Sequence, residues 1–358
     1  MNDLPTKENT PEFFPRKKEM NQEVESKPIK APLLSTIKNY DLTKVAVFLG
    51  AGVDPDGLAS QAGMVSLIEK WGGKAISFYR GTFNRPQNKS IRQILNLNPL
   101  PEKEFKPNDG WSCIISVDGN ASTCPIQPDF IIDHHESQGE AKVGSDTRPI
   151  GATSSIIWEY LTESKFDFSN EEGRRISTLL ALGIKTDTKD GAAETTSDLD
   201  YEALCFCLKN KEQKAYSQII NCPKPVYYND LFVHGWNNKT VEGPVVVAGL
   251  GNIPEARSGA ISEIASQFSE TEGVSTAIVF AMVDGAIDIS VRSSNPSLDV
   301  DEFVKMCFGQ GGGKPGSGRA RITTTLFQNL PDNLSVKLFE TINEIVKHKA
   351  LQITGDKK

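Results

Sequence analysis

Between Lys44 and Ile132, short apolar runs alternate with segments of helical period, and this alternation restricts the fold more than anything else in the chain. Lys44–Leu49 (KVAVFL), Ala75–Tyr79, Ser112–Val117 and Pro128–Ile132 each read as a buried strand. After the first, Leu58, Gln61, Ala62, Val65, Leu67, Ile68 and Trp71 recur at helical spacing and stop at Gly72-Gly73. Ser90–Leu97 predicts a shorter helix. Strands alternating with helices imply a parallel sheet covered on both faces. In such sheets ligands bind beyond the carboxyl ends of the strands.

The pattern continues as helices over Ile150–Leu161, from Asn170 to a stop at Gly183–Thr188, and over Asp198–Leu208 with Asp198 as cap. A second α/β unit starts near Val241. It holds a strand at Val245–Leu250, a helix at Ser258–Phe268, and a hairpin of Val274–Val283 with Ala286–Ser293 around Asp284-Gly285. A helix at Val300–Phe308 then runs into a glycine-rich stretch, and Pro331–Lys347 is a final helix. The chain therefore divides into a disordered tail (1–35), a first α/β domain (36–208), a connector (209–240), a smaller α/β domain (241–325) and a C-terminal helix with its tail (326–358).

A net charge of −7 argues against a protein held to nucleic acid by a broad basic surface. It leaves room for a pocket that takes a phosphate end beside a bound cation. The six cysteines fit no zinc spacing and read as free thiols. No signal-like or membrane-length apolar run occurs, so the expected location is the cytoplasm, with no membrane partner.

Four acidic or imidazole clusters fall just after apolar segments: Asp54 with Asp56, Asp118, Asp133 with His134 and His135, and Asp187. Alone, Asp-Pro-Asp-Gly and Asp-Gly-Asn are ordinary turns, and Asp187 is an ordinary helix end. Converged on one sheet edge, so many carboxylates cannot all ionise without cations between them. Oxygen ligands with a few imidazoles suit Mn²⁺ first and Mg²⁺ second, rather than structural zinc.

The ordered motifs VDPDGLASQ, SVDGNAS, DFIIDHHES, LLALGIKTDT, ISVRSS and GQGGGKPGSG resemble those of the DHH phosphoesterase superfamily with its DHH-associated C-terminal domain. The resemblance spans roughly residues 36–325 and is nearest to the RecJ-like branch of nanoRNases, pAp phosphatases and cyclic dinucleotide phosphodiesterases. It implies a parallel-sheet catalytic domain and hydrolysis of a nucleotide or short-oligonucleotide phosphate ester by metal-activated water. It also implies roles. Asp54, Asp56, Asp118, His134 and Asp187 would hold divalent metal, with Asp118 shared between two ions. Asp133 would support the histidines and His135 would face the phosphate. Ser290, Arg292, Ser293, Gly311, Gly312, Gly313, Lys314 and Arg319 would bind substrate. A homodimer is one expected assembly.

Two positions depart from the family pattern. Gly50 stands where the family carries a metal-binding histidine, and Lys314 where it carries another histidine. A second reading follows: a nucleotide-binding or sensor protein with a degraded first metal site. A nuclease subunit acting through the N-terminal tail is a third.

Overall fold

The computed structural model describes residues 33–50, 52–135, 139–314, 316–323 and 330–355; the expected tail lies mostly outside them. After a short α1 (Leu34–Lys38), the chain forms β1 (Val45–Leu49), α2 (Pro55–Lys70), β2 (Ala75–Tyr79), α3 (Pro86–Ile94), β3 (Leu100–Pro101), β4 (Cys113–Val117), β5 (Phe130–Asp133) and β6 (Gly144–Thr147). All six strands are parallel, in the order β3-β2-β1-β4-β5-β6. The order reverses between β1 and β4. A crevice opens at that point because the connections on its two sides lead away from each other.

Four of the strands are the expected ones; β3 and β6 are short additions at the sheet edges, with too few apolar residues to show a period. The two faces are covered by different means. Val45, Val47 and Leu49 pack with residues of α2, α4 (Thr153–Glu163) and α5 (Glu171–Asp187). Ala46, Phe48 and Phe78 meet Phe105 and Trp111, which come from the loop before β4. Gln61, buried in α2, donates from Nε2 to the carbonyls of Val47 and Phe78 at 2.8 and 2.9 Å. One side chain thus ties the helix to two strands, and two carbonyls are satisfied away from water.

Helices α6 (Asp198–Asn210), α7 (Gln213–Ile220) and α8 (Val226–Asn237) lead to a second sheet. It is built from β7 (Thr240–Glu242), β8 (Val245–Ile253), β9 (Thr276–Val283), β10 (Ala286–Ser293), β11 (Gly312–Lys314) and β12 (Ser317–Thr323), in the order β11-β12-β10-β9-β8-β7. Only β8 and β9 pair in parallel. One face buries residues of α8 and α9 (Gly259–Ser269), the other those of α10 (Val300–Phe308) and α11 (Asp332–Gly355). The hairpin turns at Asp284 and Gly285, both with positive φ, as a two-residue turn between twisted strands requires.

Several boundaries differ from the sequence expectation. α2 begins at Pro55, so Asp54 is its N-cap and Asp56 lies in its first turn. Proline fits a first helical position because its missing N–H would be unpaired there. For the same reason α3 begins at Pro86, not Ser90. α5 continues through Gly183 to Asp187. A Cβ at Gly183 would lie 2.4 Å from Ser154 Oγ and 3.0 Å from Asp56 Cα, so this glycine admits close helix packing instead of ending the helix. α6 is capped by Ser197 rather than Asp198, with Asp200 closing a capping box.

Candidate metal centre and inter-domain cleft

The acidic cluster forms at the β1/β4 reversal. Asp54 caps α2, its Oδ1 accepting the Gly57 N–H at 2.8 Å. Asp56, fully buried, accepts backbone N–H groups of Thr153 (2.8 Å, Oδ2) and Ser154 (2.9 Å, Oδ1) from the first turn of α4. A helix N-terminus is where a carboxylate is best stabilised. Asp118 follows β4 with φ +52, a region that non-glycine residues enter sparingly, and its Oδ1 accepts from Thr153 Oγ1 at 3.1 Å. Asp187 ends α5, where the helix dipole disfavours a carboxylate. His134 and Lys314 compensate it.

Asp133 organises both histidines. Its Oδ1 accepts the N–H groups of His134 (2.8 Å) and His135 (3.2 Å) and lies 2.8 Å from His135 Nδ1. His134 Nδ1 lies 3.0 Å from the Ile150 carbonyl, which can only accept. The proton therefore sits on Nδ1, and in the neutral ring Nε2 presents its lone pair. That Nε2 is buried with no hydrogen-bond partner. Around it stand Asp187 Oδ2 at 3.4 Å, Asp118 Oδ1 at 3.6 Å and Asp56 Oδ2 at 4.0 Å. An orphaned imidazole nitrogen among three carboxylates fits a hard divalent cation. Asp56, His134 and Asp187 bring their ligand atoms within 4.8 Å of one another, and so do Asp118, His134 and His135. Asp54 belongs to neither group.

The cluster's electrostatics agree. Burial, then the charge of Asp118, pushes Asp56 up to about 7. Burial, then Asp54, pushes Asp118 up to about 7. Burial, then Asp187, pushes Asp54 up to about 6. Burial lowers His134, but Asp187, Asp56 and Asp118 outweigh it and raise the imidazole to about 10. Burial likewise raises Asp187, yet His134 and Lys314 carry it below the usual carboxylate range. Cation binding must displace protons from Asp56, Asp118 and His134. The affinity for Mn²⁺ is therefore expected to rise steeply from pH 6 to 8, as titration calorimetry at several pH values would register. A pH-independent affinity would contradict the cluster's role. The sign for folding is opposite. Carboxylates with raised values stabilise the fold below about pH 4 and lose that contribution as pH climbs through about 7. The metal-free protein should soften over that interval, and metal should restore it.

Gly50 follows β1 and faces the residues that follow β4. A Cβ there would lie 1.8 Å from the Asp118 carbonyl oxygen, and one at Gly119 would lie 2.5 Å from Gly50 Cα. The two strand ends touch backbone to backbone. No side chain fits at position 50, so the histidine of the family pattern is excluded by packing as well as missing.

Between the domains lies a cleft of about 310 Å³. Of the residues expected to bind substrate, Ser290, Arg292, Gly312, Gly313, Lys314 and Arg319 line it, whereas Gly311 and Ser293 do not. Ser293 Oγ instead contacts Thr276 Oγ1 at 2.9 Å. The glycine run is a hairpin rather than an open loop: Gly312 pairs with Arg319, and the Gly313 amide is already donated to Asp301 Oδ1 at 2.9 Å. Lys314 crosses the cleft, its Nζ donating to Asp187 Oδ2 at 2.9 Å. The sequence reading missed Asn84 and Arg85, which line the same cleft from the first domain. The Arg85-Pro86 dipeptide was the available signal, since proline at a first helical position makes Arg85 the cap.

A parallel sheet with an acidic and imidazole cluster at its order reversal, facing a second α/β domain across a charged cleft, defines a two-domain α/β protein with a candidate metal centre. Residues 242–347 match the DHHA1 domain. The C-terminal unit is therefore a DHHA1 domain, and the motifs of the first domain resemble those of the DHH superfamily. It superposes on an exopolyphosphatase-related protein from Bacteroides fragilis with a TM-score of 0.64 and 14% identity, over 90% of this chain and 97% of that one. RecJ of Thermus thermophilus, solved with Mn²⁺, gives a TM-score of 0.46 at 13% identity, over 90% of this chain and 54% of RecJ. An uncharacterized protein of Methanocaldococcus jannaschii is 29% identical over 311 residues, 85% of this chain. The chain spans 63% of the length of that curated relative. Among the described residues, no helix is long and apolar enough to cross a membrane.

Proposed function

We propose that the protein is a metal-dependent phosphoesterase that hydrolyses a nucleotide or short oligonucleotide, of nanoRNase or pAp phosphatase type, in the cytoplasm. The observation that carries this reading is His134 Nε2, buried and unpartnered among Asp56, Asp118 and Asp187, beside a cleft lined by Lys314 and arginines. Asp56, Asp118, His134 and Asp187 would hold the cation, Mn²⁺ by preference, with Asp54 close by. When bound, the cation supplies charge neutralisation and an acidified water. The chain's own residues do the rest. Asp133 fixes the His135 ring, which borders the cleft and can share a proton with a phosphate oxygen. Lys314 offers an ammonium to the same phosphate once its contact with Asp187 loosens. The cleft's volume, at the lower end of the ~300–1,000 Å³ usual for ligand pockets, limits the enclosed part of the substrate to about one nucleotide unit.

The test is incubation of the full chain with Mn²⁺, pAp and labelled dinucleotides. Turnover of at least one supports the reading; none, with metal demonstrably bound, overturns it. Gly50 and the Lys314–Asp187 pair favour a second reading, a protein that holds a nucleotide beside one cation without cleaving it. One tight Mn²⁺ per chain with nucleotide binding but no hydrolysis would establish that alternative.

A further inference from the structure

Asp187 Oδ2 serves two positive groups. It stands 3.4 Å from His134 Nε2, the nitrogen that would bind the cation, and it accepts from Lys314 Nζ at 2.9 Å. The lysine comes from the other domain. Arg319, Arg321 and Lys305 also lie in that domain, but each pairs with an acid of its own domain: Asp288, Glu255 and Asp301. Of these four, Lys314 alone reaches the acidic cluster. Its ammonium is felt beyond Asp187: burial lowers Lys314, but Asp187, then Asp118 and Asp54, outweigh it and raise the group.

The backbone behind this lysine is fixed. Gly312–Lys314 pair with β12, and the Gly313 amide is held by Asp301 Oδ1 at 2.9 Å. A Cβ at Gly313 would lie 2.7 Å from the Ser317 carbonyl oxygen, so the hairpin is closely packed. The side chain is the part that can move. It is half-exposed, on a flexible four-carbon stem. Asp187 is its one hydrogen-bond partner among the described residues.

A divalent cation held by His134 Nε2 and Asp187 Oδ2 would bring a second positive charge against the same oxygen. Like charges that close repel strongly in a buried cluster. The ammonium has the advantage of its tether, which gives it a high local concentration. The ion has the advantage of its double charge. Which of the two holds Asp187 is therefore set by the amount of ion present.

We propose that Lys314 is a tethered competitor of the metal ion for Asp187. Without the ion, the ammonium neutralises Asp187. Binding of the ion evicts it, and the released ammonium turns into the cleft, where it can donate to a phosphate oxygen. Metal loading thus switches Lys314 from a counter-ion into a phosphate ligand. That last step rests on the phosphoesterase reading above and deepens it; the competition itself needs no hydrolysis. Lys314 is a positioning residue of the metal centre, contributed by the second domain.

The test uses the full chain at pH 8 with Mn²⁺ alone. Lys314→Met keeps the stem and removes the charge. Its Mn²⁺ affinity by calorimetry should rise about 10-fold, the lower end for a hydrogen bond between charged groups, because the lysine is half-exposed. Lys314→Arg keeps the charge and should leave the affinity near the wild-type value. Repulsion at a distance would also weaken Mn²⁺ binding, but it would not uncover the lysine. The wild type is therefore acetylated with limiting reagent, and Lys314 labelling is compared with that of Lys305 by mass spectrometry. Saturating Mn²⁺ should raise the labelling of Lys314 severalfold relative to Lys305. Unchanged labelling, or a Lys314→Met variant that binds Mn²⁺ no more tightly than the wild type, overturns the proposal. Mn²⁺ binding by neither protein overturns it together with the metal centre. Competition without hydrolysis of any ester upholds it and overturns only the phosphoesterase reading.

Discussion

Replacing Asp118 with asparagine is expected to abolish metal binding and to raise the melting temperature of the metal-free protein. The two effects have one origin. Asp118 lies buried among Asp54, Asp56 and Asp187, and burial with like charge makes its ionised form unfavourable. Asparagine removes the charge and keeps an oxygen for the Thr153 hydroxyl. It also tolerates the positive φ of this position better than most residues. The metal-free variant should therefore melt higher at pH 8, by roughly 2–4 °C for each kcal/mol of repulsion relieved. The stabilisation that Mn²⁺ confers on the wild type should vanish, and phosphoester turnover should fall by about 10³-fold or more, since several kcal/mol of charge stabilisation is lost. Calorimetric melting with and without Mn²⁺ reads both effects. A variant that melts lower without metal and still gains from Mn²⁺ would mean that the cluster is a structural network, not a metal centre.

The second large effect is expected from the smallest change. Gly50→Ala places a methyl group 1.8 Å from the Asp118 carbonyl oxygen, so β1 and β4 must separate where the crevice forms. Backbone is on both sides of the contact, and no side chain can swing away. The cost should reach about 3 kcal/mol or more, beyond the usual range for an overpacked core, with Mn²⁺ affinity lost as Asp118 moves. Gly52→Ala is the control: a Cβ there meets nothing within 4 Å, and the change should stay within about 0.5 kcal/mol. Urea unfolding of the two variants side by side makes the comparison. Equal stabilities would show that the two strand ends separate at little cost. The same contact means that Gly50→His cannot test a missing metal ligand, because it would break the site it was meant to complete.

Much of the first domain was legible because its signals are local. Val45–Leu49 and Cys113–Val117 are buried along their whole length and read as strands without help from neighbours. Asp133-His134-His135 falls directly at a strand end, so its place in the site followed from its place in the chain. Asp187 was harder to place. Its apolar helix was visible, but Gly183 imitated a helix stop, and only the packing against Ser154 and Asp56 explains why the helix goes on. The glycine run before Arg319 showed flexibility in its composition and an ordered hairpin in its pairing.

By itself the sequence determined the α/β class, the parallel sheet, and the acids and histidines that gather beyond its strands, because burial period and strand ends are properties of neighbouring residues. Tertiary structure alone decided three things: Gly50 stands against Asp118, Lys314 reaches Asp187, and Arg85 and Arg292 line one cleft. Each joins positions far apart in the chain, the last two from different domains. Their chemistry arises from approach and charge balance, which no local pattern of residues encodes.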